Sequence, residues 1–207
     1  MELRNEILDD YSSYCDRKIR SEFGQYSANL NDPIYIYQRY KCRIIDERKR
    51  IVNISRSLLI PDEYKHAFQK IISDTENGNS LKKYQSRMLK SIDYDDDMLS
   101  HWGIQHLHLS VNIESDGFVT RTGKLVFIHF TPMAANVIGI FGHGAWCDLD
   151  IIEIMHENWP QEMSIYKNNS NSKKLTEDEH QVLRRKNANA NIMVQDGTEY
   201  ICPGLGV

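Results

Sequence analysis

The chain has 207 residues, a formal net charge of −4 and four scattered cysteines. Its length suits one domain, or one domain with a helical appendage. No run of about 18 apolar residues is present to span a membrane, the charged first residues are unlike a secretion signal, and the cysteines lack the CxxC spacing of zinc fingers. We therefore expect a cytoplasmic chain with reduced thiols and no membrane partner.

Charge is distributed unevenly along the chain. Residues 1–92 carry 17 Lys and Arg against 13 Asp and Glu, whereas residues 93–207 carry 8 against 16. The sequence therefore divides into a mildly basic helical part, 1–92, and an acidic part, 93–207, that carries the predicted sheet. The basic part could contact phosphates or an acidic partner, or it could neutralise the acidic part across an internal interface.

The spacing of apolar residues in the first part is typical of amphipathic helices. Helices are predicted over residues 2–22, from Tyr37 to Val52, from Pro61 to Asn77 and over 80–91. The apolar stripe of the first helix contains Leu3, Ile7, Tyr11 and Tyr14. Pro61 marks the start of the third helix, because a proline in the first turn loses no hydrogen bond and the acids after it favour the positive end of the dipole.

The pattern changes near residue 102, where polar and apolar residues begin to alternate as in half-buried strands. Strands are predicted over residues 104–113, 118–120, 124–130 and 136–141, followed by a hairpin over 192–201. Asp148 and the capping box Thr176–Glu179 each begin a helix after the sheet. The predicted fold class is α+β, with a helical N-terminal part packed on an antiparallel sheet, C-terminal helices and a terminal hairpin.

Five of the eight histidines lie between residues 101 and 143. In the segment WGIQHLHLSV, His106 and His108 point to the same side of the predicted strand, opposite Leu107. The polar side of a half-buried strand is expected to face solvent. The two imidazoles are therefore either ordinary surface residues or part of a site.

One arrangement of these histidines would cleave RNA by acid–base chemistry, without a cofactor. Such cleavage needs a base for the 2′-hydroxyl proton, an acid for the leaving oxygen and a cation at the phosphate. Histidine suits the first two roles because its ordinary pKa is near neutrality, and arginine can hold a phosphate by a bidentate contact. The candidate residues are His106 and His108 as the acid–base pair, Arg121 as the phosphate ligand, and His129 and His143 near the ends of neighbouring strands.

Three other interpretations stay open. A metal-dependent hydrolase or oxygenase could ligate its metal through His106 and His108. The further ligands considered for it are His129, His143, Glu114 and Asp148. Cys147 could be a nucleophile, because it lies at the predicted start of a helix. The chain could also be a non-enzymatic partner-binding protein, such as an antitoxin or regulatory subunit, that acts through its basic helix.

Several segments of the second part, WGIQHLHLS, RTGKLVFIHF, GHGAW and NWP, resemble a group of uncharacterised bacterial proteins, and the likeness covers roughly residues 55–207. These segments contain all five candidate residues. The resemblance implies no established activity and assigns none of them a role.

At the level of the fold, helices followed by an antiparallel sheet, with Arg121 entering a central strand, resemble the RelE/ParE class of small toxin ribonucleases. The resemblance implies that Arg121, His129 and His143 face RNA. Because phosphate neutralisation dominates RNA affinity and the sheet part is acidic, the basic segments 39–50 and 82–87 would supply much of the charge. We therefore expect a small metal-independent ribonuclease-like toxin or phage-defence effector, with RNA or a cognate protein as its partner.

Overall fold

The computed structural model describes residues 6–26, 32–92, 94, 96–144, 149–169, 173–186, 188 and 190–201. Its class is α+β, as predicted. The helices are α1 Glu6–Phe23, α2 Pro33–Arg43, α3 Lys65–Asn77, α4 Asp97–Trp102, α5 Leu149–Asn158, α6 Pro160–Met163 and α7 Glu177–Arg185. The strands are β1 Ile51–Ile54, β2 Ile104–His108, β3 Lys124–Phe130, β4 Ala134–Gly142, β5 Lys167–Asn168, β6 Ile192–Met193 and β7 Glu199–Tyr200. None of these helices is long and apolar enough to cross a membrane.

The central sheet has four strands in the order β1-β4-β3-β2. The strands β2, β3 and β4 are antiparallel, as predicted, with Ile104 opposite His129 and His108 opposite Leu125. The strand β1 pairs with β4 in the parallel direction, so a strand from the basic N-terminal part completes the sheet of the acidic part. A second, small sheet joins β5, β7 and β6.

Apolar layers cover both faces of the central sheet. On one face, residues of α3 pack with Leu107 in a buried cluster. On the other face, α5 and the hairpin β6–β7 pack with Ile104 and Phe127. His106 and His108 lie on this second face, so the expectation that their side of the strand meets solvent is wrong. The covering layer leaves only 3% of His108 exposed.

The predicted second helix is wrong beyond its first half. The helix α2 ends at Arg43, and Ile51–Ile54 forms β1. The backbone N–H of Ile51 donates to the loop before β4 at 3.0 Å. Three of the four β1 residues are β-branched, so pairing with β4 outweighs their weak helical spacing. Arg50 holds the turn before β1, because its guanidinium donates to the carbonyl of Thr131 at 2.9 Å.

The first helix is buried most deeply beyond the predicted apolar residues. Cys15 and Ile19 are fully buried, and α1 packs on α2. Ile7, Tyr11 and Tyr14 are exposed, although the Tyr11 hydroxyl accepts from Gln38 of α2 and the ring of Tyr14 packs edge-on against Tyr37. Helical spacing predicted the face of α1 near α2 but not how deeply each residue is buried.

Other predicted elements differ in extent. The fourth helix is replaced by two 3₁₀ turns, Lys82–Tyr84 and Arg87–Lys90. The strand β2 stops at His108, five residues before its predicted end. The strand predicted at 118–120 contributes one isolated bridge, between Ile113 and Val119. The segment after His108 stays packed, because Leu109 and Val119 are buried, but it does not extend the pairing of the sheet.

The capping box and the terminal hairpin are confirmed, whereas Asp148, the predicted start of a helix, lies outside the described residues. In the capping box, the backbone N–H of Thr176 donates to Oε2 of Glu179 at 2.8 Å, and that of Glu179 donates to Oγ1 of Thr176 at 3.3 Å. The hairpin β6–β7 turns at Asp196 and Gly197, as expected. Tyr200 of the hairpin is fully buried, and its hydroxyl lies 2.6 Å from Nδ1 of His156 on α5. This contact ties the hairpin to the layer that covers the histidines.

Gly78 ends α3 in the left-handed conformation, with φ of +74°, against the chain that leads into β1. A Cβ at this position would lie 2.8 Å from the backbone nitrogen of Lys49. Gly24 ends α1 with a similar φ of +77°, and a Cβ there would meet no atom within 4 Å. A substitution at Gly24 therefore tests the left-handed conformation alone, whereas a substitution at Gly78 adds a steric contact.

We expect Gly24→Ala to lower the free energy of unfolding by roughly 1 kcal/mol, the usual cost of left-handed backbone for an L-residue. Gly78→Ala should cost at least about twice as much, because the backbone at Lys49 must also move. Urea denaturation of both variants measures the difference. Equal losses would contradict the close packing of α3 on the segment before β1.

Candidate functional site

His108 is the last residue of β2 and one of the most buried histidines described. The backbone N–H of Thr122 donates to its Nδ1 at 3.2 Å. Nδ1 is therefore an acceptor, and the proton of the neutral ring is assigned to Nε2. Burial, followed by the charges of nearby cations, lowers the pKa of His108 from 6.5 to about 4. This imidazole is consequently neutral at physiological pH.

His143 approaches the same threonine from the end of β4. It follows Gly142, which lies opposite Lys124 at the start of β3, and it is exposed. Its Nε2 lies 3.0 Å from the carbonyl oxygen of Thr122, so Nε2–H donates to that oxygen. The ring centroids of His108 and His143 are 5.7 Å apart. The backbone of one residue thus orients two imidazoles, one buried and one in contact with solvent.

Positive charge surrounds this pair. The charges that lower the pKa of His108 are those of His143, His106, Arg121 and Arg87, in that order. Arg121 directly precedes Thr122 and is exposed. Arg87 is held by two carboxylates, at 2.8 Å and 2.7 Å, so Arg121 is the guanidinium best placed to meet a ligand. The arrangement suits an anion.

The other two predicted histidines contact carboxylates instead of Thr122. Nδ1 of His106 lies 3.5 Å from Oδ2 of Asp96, in front of α4. His129 pairs with Ile104, four residues before His108, so the two histidines are roughly 13 Å apart along the sheet at the usual strand rise. Burial lowers the pKa of His129, an effect that the carboxylate of Glu162 partly opposes.

Of the five candidate residues, His108 and His143 are therefore joined through Thr122, and the charges of His106 and Arg121 also act on His108. Thr122, which organises them, was missed by sequence analysis. Thr122 contributes its backbone N–H and carbonyl oxygen. Almost every residue type has these atoms, so the sequence does not reveal this role. The remaining signal was its position in the bend between the predicted strands, where its hydroxyl donates to the carbonyl of Lys124 at 2.6 Å.

The residues suggested as metal ligands do not converge. Within the described ranges, no three His, Cys, Asp or Glu side chains lie close enough to hold a metal ion. Glu114 instead accepts from Arg87 at 2.7 Å. Asp148 and Cys147 lie outside the described residues, so the carboxylate ligand and the nucleophile suggested there stay predictions.

The hydrogen bonds of His108 and His143 to Thr122 are thus the observations that bear most directly on catalysis. Comparison of the chain with protein-family models, curated proteins and solved structures found no match. Function is therefore inferred from the residues around Thr122. They offer a neutral buried imidazole, an exposed imidazole and an exposed guanidinium at one end of the sheet.

The low pKa of His108 has a measurable consequence for stability. In the unfolded chain its imidazole takes up a proton below about pH 6.5, whereas the folded protein resists protonation down to about pH 4. Relative to a His108→Gln variant, the wild type should lose up to about 3 kcal/mol of unfolding free energy as the pH falls through this window. Urea denaturation of both proteins at several pH values measures this difference.

The ring can also be followed directly by ¹⁵N NMR. The spectrum should show an Nε2–H tautomer that persists to about pH 5. A His108 resonance that titrates above pH 6 would contradict the buried, Thr122-bound geometry.

Proposed function

We propose that this chain is a metal-independent, ribonuclease-like toxin or phage-defence effector that acts on RNA in the cytoplasm. The observation that supports the proposal is the pairing of His108 and His143 on the backbone of Thr122, beside the exposed Arg121. The chemistry requires an imidazole that exchanges protons and a cation that holds the phosphate. This group of residues contains both.

The roles follow from exposure and protonation. His143, which is exposed, takes the proton from the 2′-hydroxyl as that oxygen forms a bond to phosphorus. The bond from phosphorus to the 5′ oxygen then breaks, and His143 returns the proton to the leaving oxygen. Arg121 holds the non-bridging oxygens by a bidentate contact. His108, which is neutral and only 3% exposed, has a positioning role, because it accepts from Thr122, whose carbonyl oxygen holds His143.

This assignment differs from the expected pair of His106 and His108. An imidazole with a pKa of about 4 is almost never protonated near neutral pH, so His108 is a poor general acid there. His106 faces Asp96 and Phe127 within the protein. We therefore place the proton transfer at His143 and give His108 a fixed polar role.

The charge for RNA binding must come from fewer residues than the sequence suggests. Of the basic segment 39–50, Arg43 is 3% exposed and Arg50 is 7% exposed, so neither contacts a ligand at the surface. Lys41 and Lys49 are exposed. RNA binding is therefore expected to be modest in affinity and to weaken steeply with salt.

Purified protein incubated with total RNA in EDTA tests the proposal. We expect cleavage that survives the chelator and leaves 2′,3′-cyclic phosphate ends. His143→Ala and Arg121→Ala should each slow cleavage by about 100-fold or more, because each removes a group that acts in the transition state. Gel analysis with end-specific labelling measures both the rate and the product.

His66→Ala is the matched control, because His66 is an exposed imidazole on α3 and should leave the rate unchanged. Cleavage that depends on an added metal would favour the hydrolase alternative. Absence of cleavage, together with normal growth of cells that express the protein, would leave a non-enzymatic partner-binding role and end the ribonuclease proposal.

A further inference from the structure

A cavity of about 780 Å³ lies on the α3 side of the sheet, away from the histidine pair. It is bounded by the end of α1, by α3, by the two 3₁₀ turns and by the turn at Asp116–Phe118. Its volume falls in the range of sites for small organic ligands. Four lysines line it, namely Lys70, Lys82, Lys83 and Lys90.

A buried carboxylate positions two of these lysines. Asp74 has only 2% of its side chain exposed and lies 3.0 Å from Nζ of Lys70 and 2.9 Å from Nζ of Lys83. It also accepts from Asn79 at 3.0 Å and from the hydroxyl of Tyr84 at 2.8 Å. Four donors fill the acceptor sites of one carboxylate. Two ammonium groups thus share one negative charge, and one positive charge remains in excess.

Aromatic rings hold the ammonium groups as well. Lys83 lies over the ring of Tyr84, with Nζ 4.9 Å from the ring centroid, and Lys90 lies over Phe118 at 5.0 Å. A ring attracts a cation through its quadrupole and does not cancel the formal charge. These lysines are therefore positioned in advance while they remain able to attract an anion.

Lys90 is only weakly engaged by its carboxylate. Its Nζ lies 3.4 Å from Oδ2 of Asp116, whereas Nε of Arg87 lies 2.8 Å from the same oxygen. Arg87, which is shared with Glu114, is the closer partner of Asp116, so a ligand phosphate can compete for the ammonium group of Lys90. Lys82 differs, because it forms an ion pair with Glu22 at the rim.

Phe23 supplies an apolar wall opposite these charges. It lines the cavity at the end of α1 and is partly exposed. Its ring is held edge-on by Tyr40, with centroids 4.8 Å apart. A flat ring of a ligand could stack on such a face.

We propose that this cavity binds a nucleoside polyphosphate, with its phosphates on Lys70, Lys83 and Lys90 and its base against Phe23. Ammonium groups that are positioned in advance recognise the phosphates, and the aromatic wall recognises the base. None of the residues that line this cavity belongs to the group of His108, Thr122, His143 and Arg121.

Isothermal titration calorimetry of the full chain, at low ionic strength and without Mg²⁺, tests the site with ATP and with inorganic pyrophosphate. Both should bind. Lys83→Gln and Lys90→Gln should each weaken both ligands by about tenfold or more, because each removes a phosphate contact. Phe23→Ala should weaken ATP and leave pyrophosphate unchanged. Lys90→Gln is the safest variant for folding, because Arg87 continues to satisfy Asp116.

Lys65→Gln is the matched control: it removes one charge from α3 outside the cavity, where Lys65 pairs with Asp62. It should change either affinity by less than about twofold. Three outcomes would overturn the proposal. These are no heat with either ligand at about 1 mM, an equal loss in the Lys65 variant, or equal binding of ATP and pyrophosphate with no effect of Phe23→Ala.

Discussion

The structure depends on a sheet that is covered on both faces. Polar side chains in such a sheet must find their partners within the protein, because buried groups without hydrogen bonds are costly. Asn136 of β4 is fully buried; it accepts from Asn53 of β1 at 2.8 Å and donates to Glu162 at 2.6 Å. His108 meets the same requirement by accepting from Thr122.

This constraint also decides where chemistry is accessible. In the interior of the sheet, a neutral imidazole is the form that burial favours. At the end of the sheet, His143 and Arg121 are exposed beside the buried ring. The site therefore combines a buried, neutral imidazole with an exposed imidazole and an exposed guanidinium. Neither His106 nor His129 offers that combination, because each faces a carboxylate inside the fold.

Local signals predicted much of this fold. The end of α3 at Asn77, the capping box before α7 and the terminal hairpin each depend on a few neighbouring residues, and all are confirmed. The helix predicted to start at Pro61 begins as a 3₁₀ turn, Asp62–Tyr64, and α3 itself starts at Lys65. Alternation also placed His106 and His108 on one face of β2. It could not show that this face is covered, because the cover comes from α5 and from a hairpin that follows β2 by more than eighty residues.

The parts that escaped prediction are those that depend on distant contacts. A segment of four residues is too short to reveal whether it is a strand, and β1 becomes one only beside β4. The number of basic residues also overstated the positive charge available at the surface. Arg43 and Arg50 contribute to that number, but their guanidinium groups donate to carbonyl oxygens inside the protein. The lysine cavity was not predicted either. It depends on Asp74, and no local sequence pattern shows that this carboxylate is buried.

The pairing of β1 with β4 joins residues that are 83 positions apart, such as Asn53 and Asn136. During translation, β1 leaves the ribosome well before its partner exists. It carries two bulky apolar side chains, Ile51 and Ile54, which are 68% and 50% exposed even in the finished protein. A nascent chain therefore exposes an unpaired strand with apolar side chains until β4 emerges, and such a strand favours aggregation.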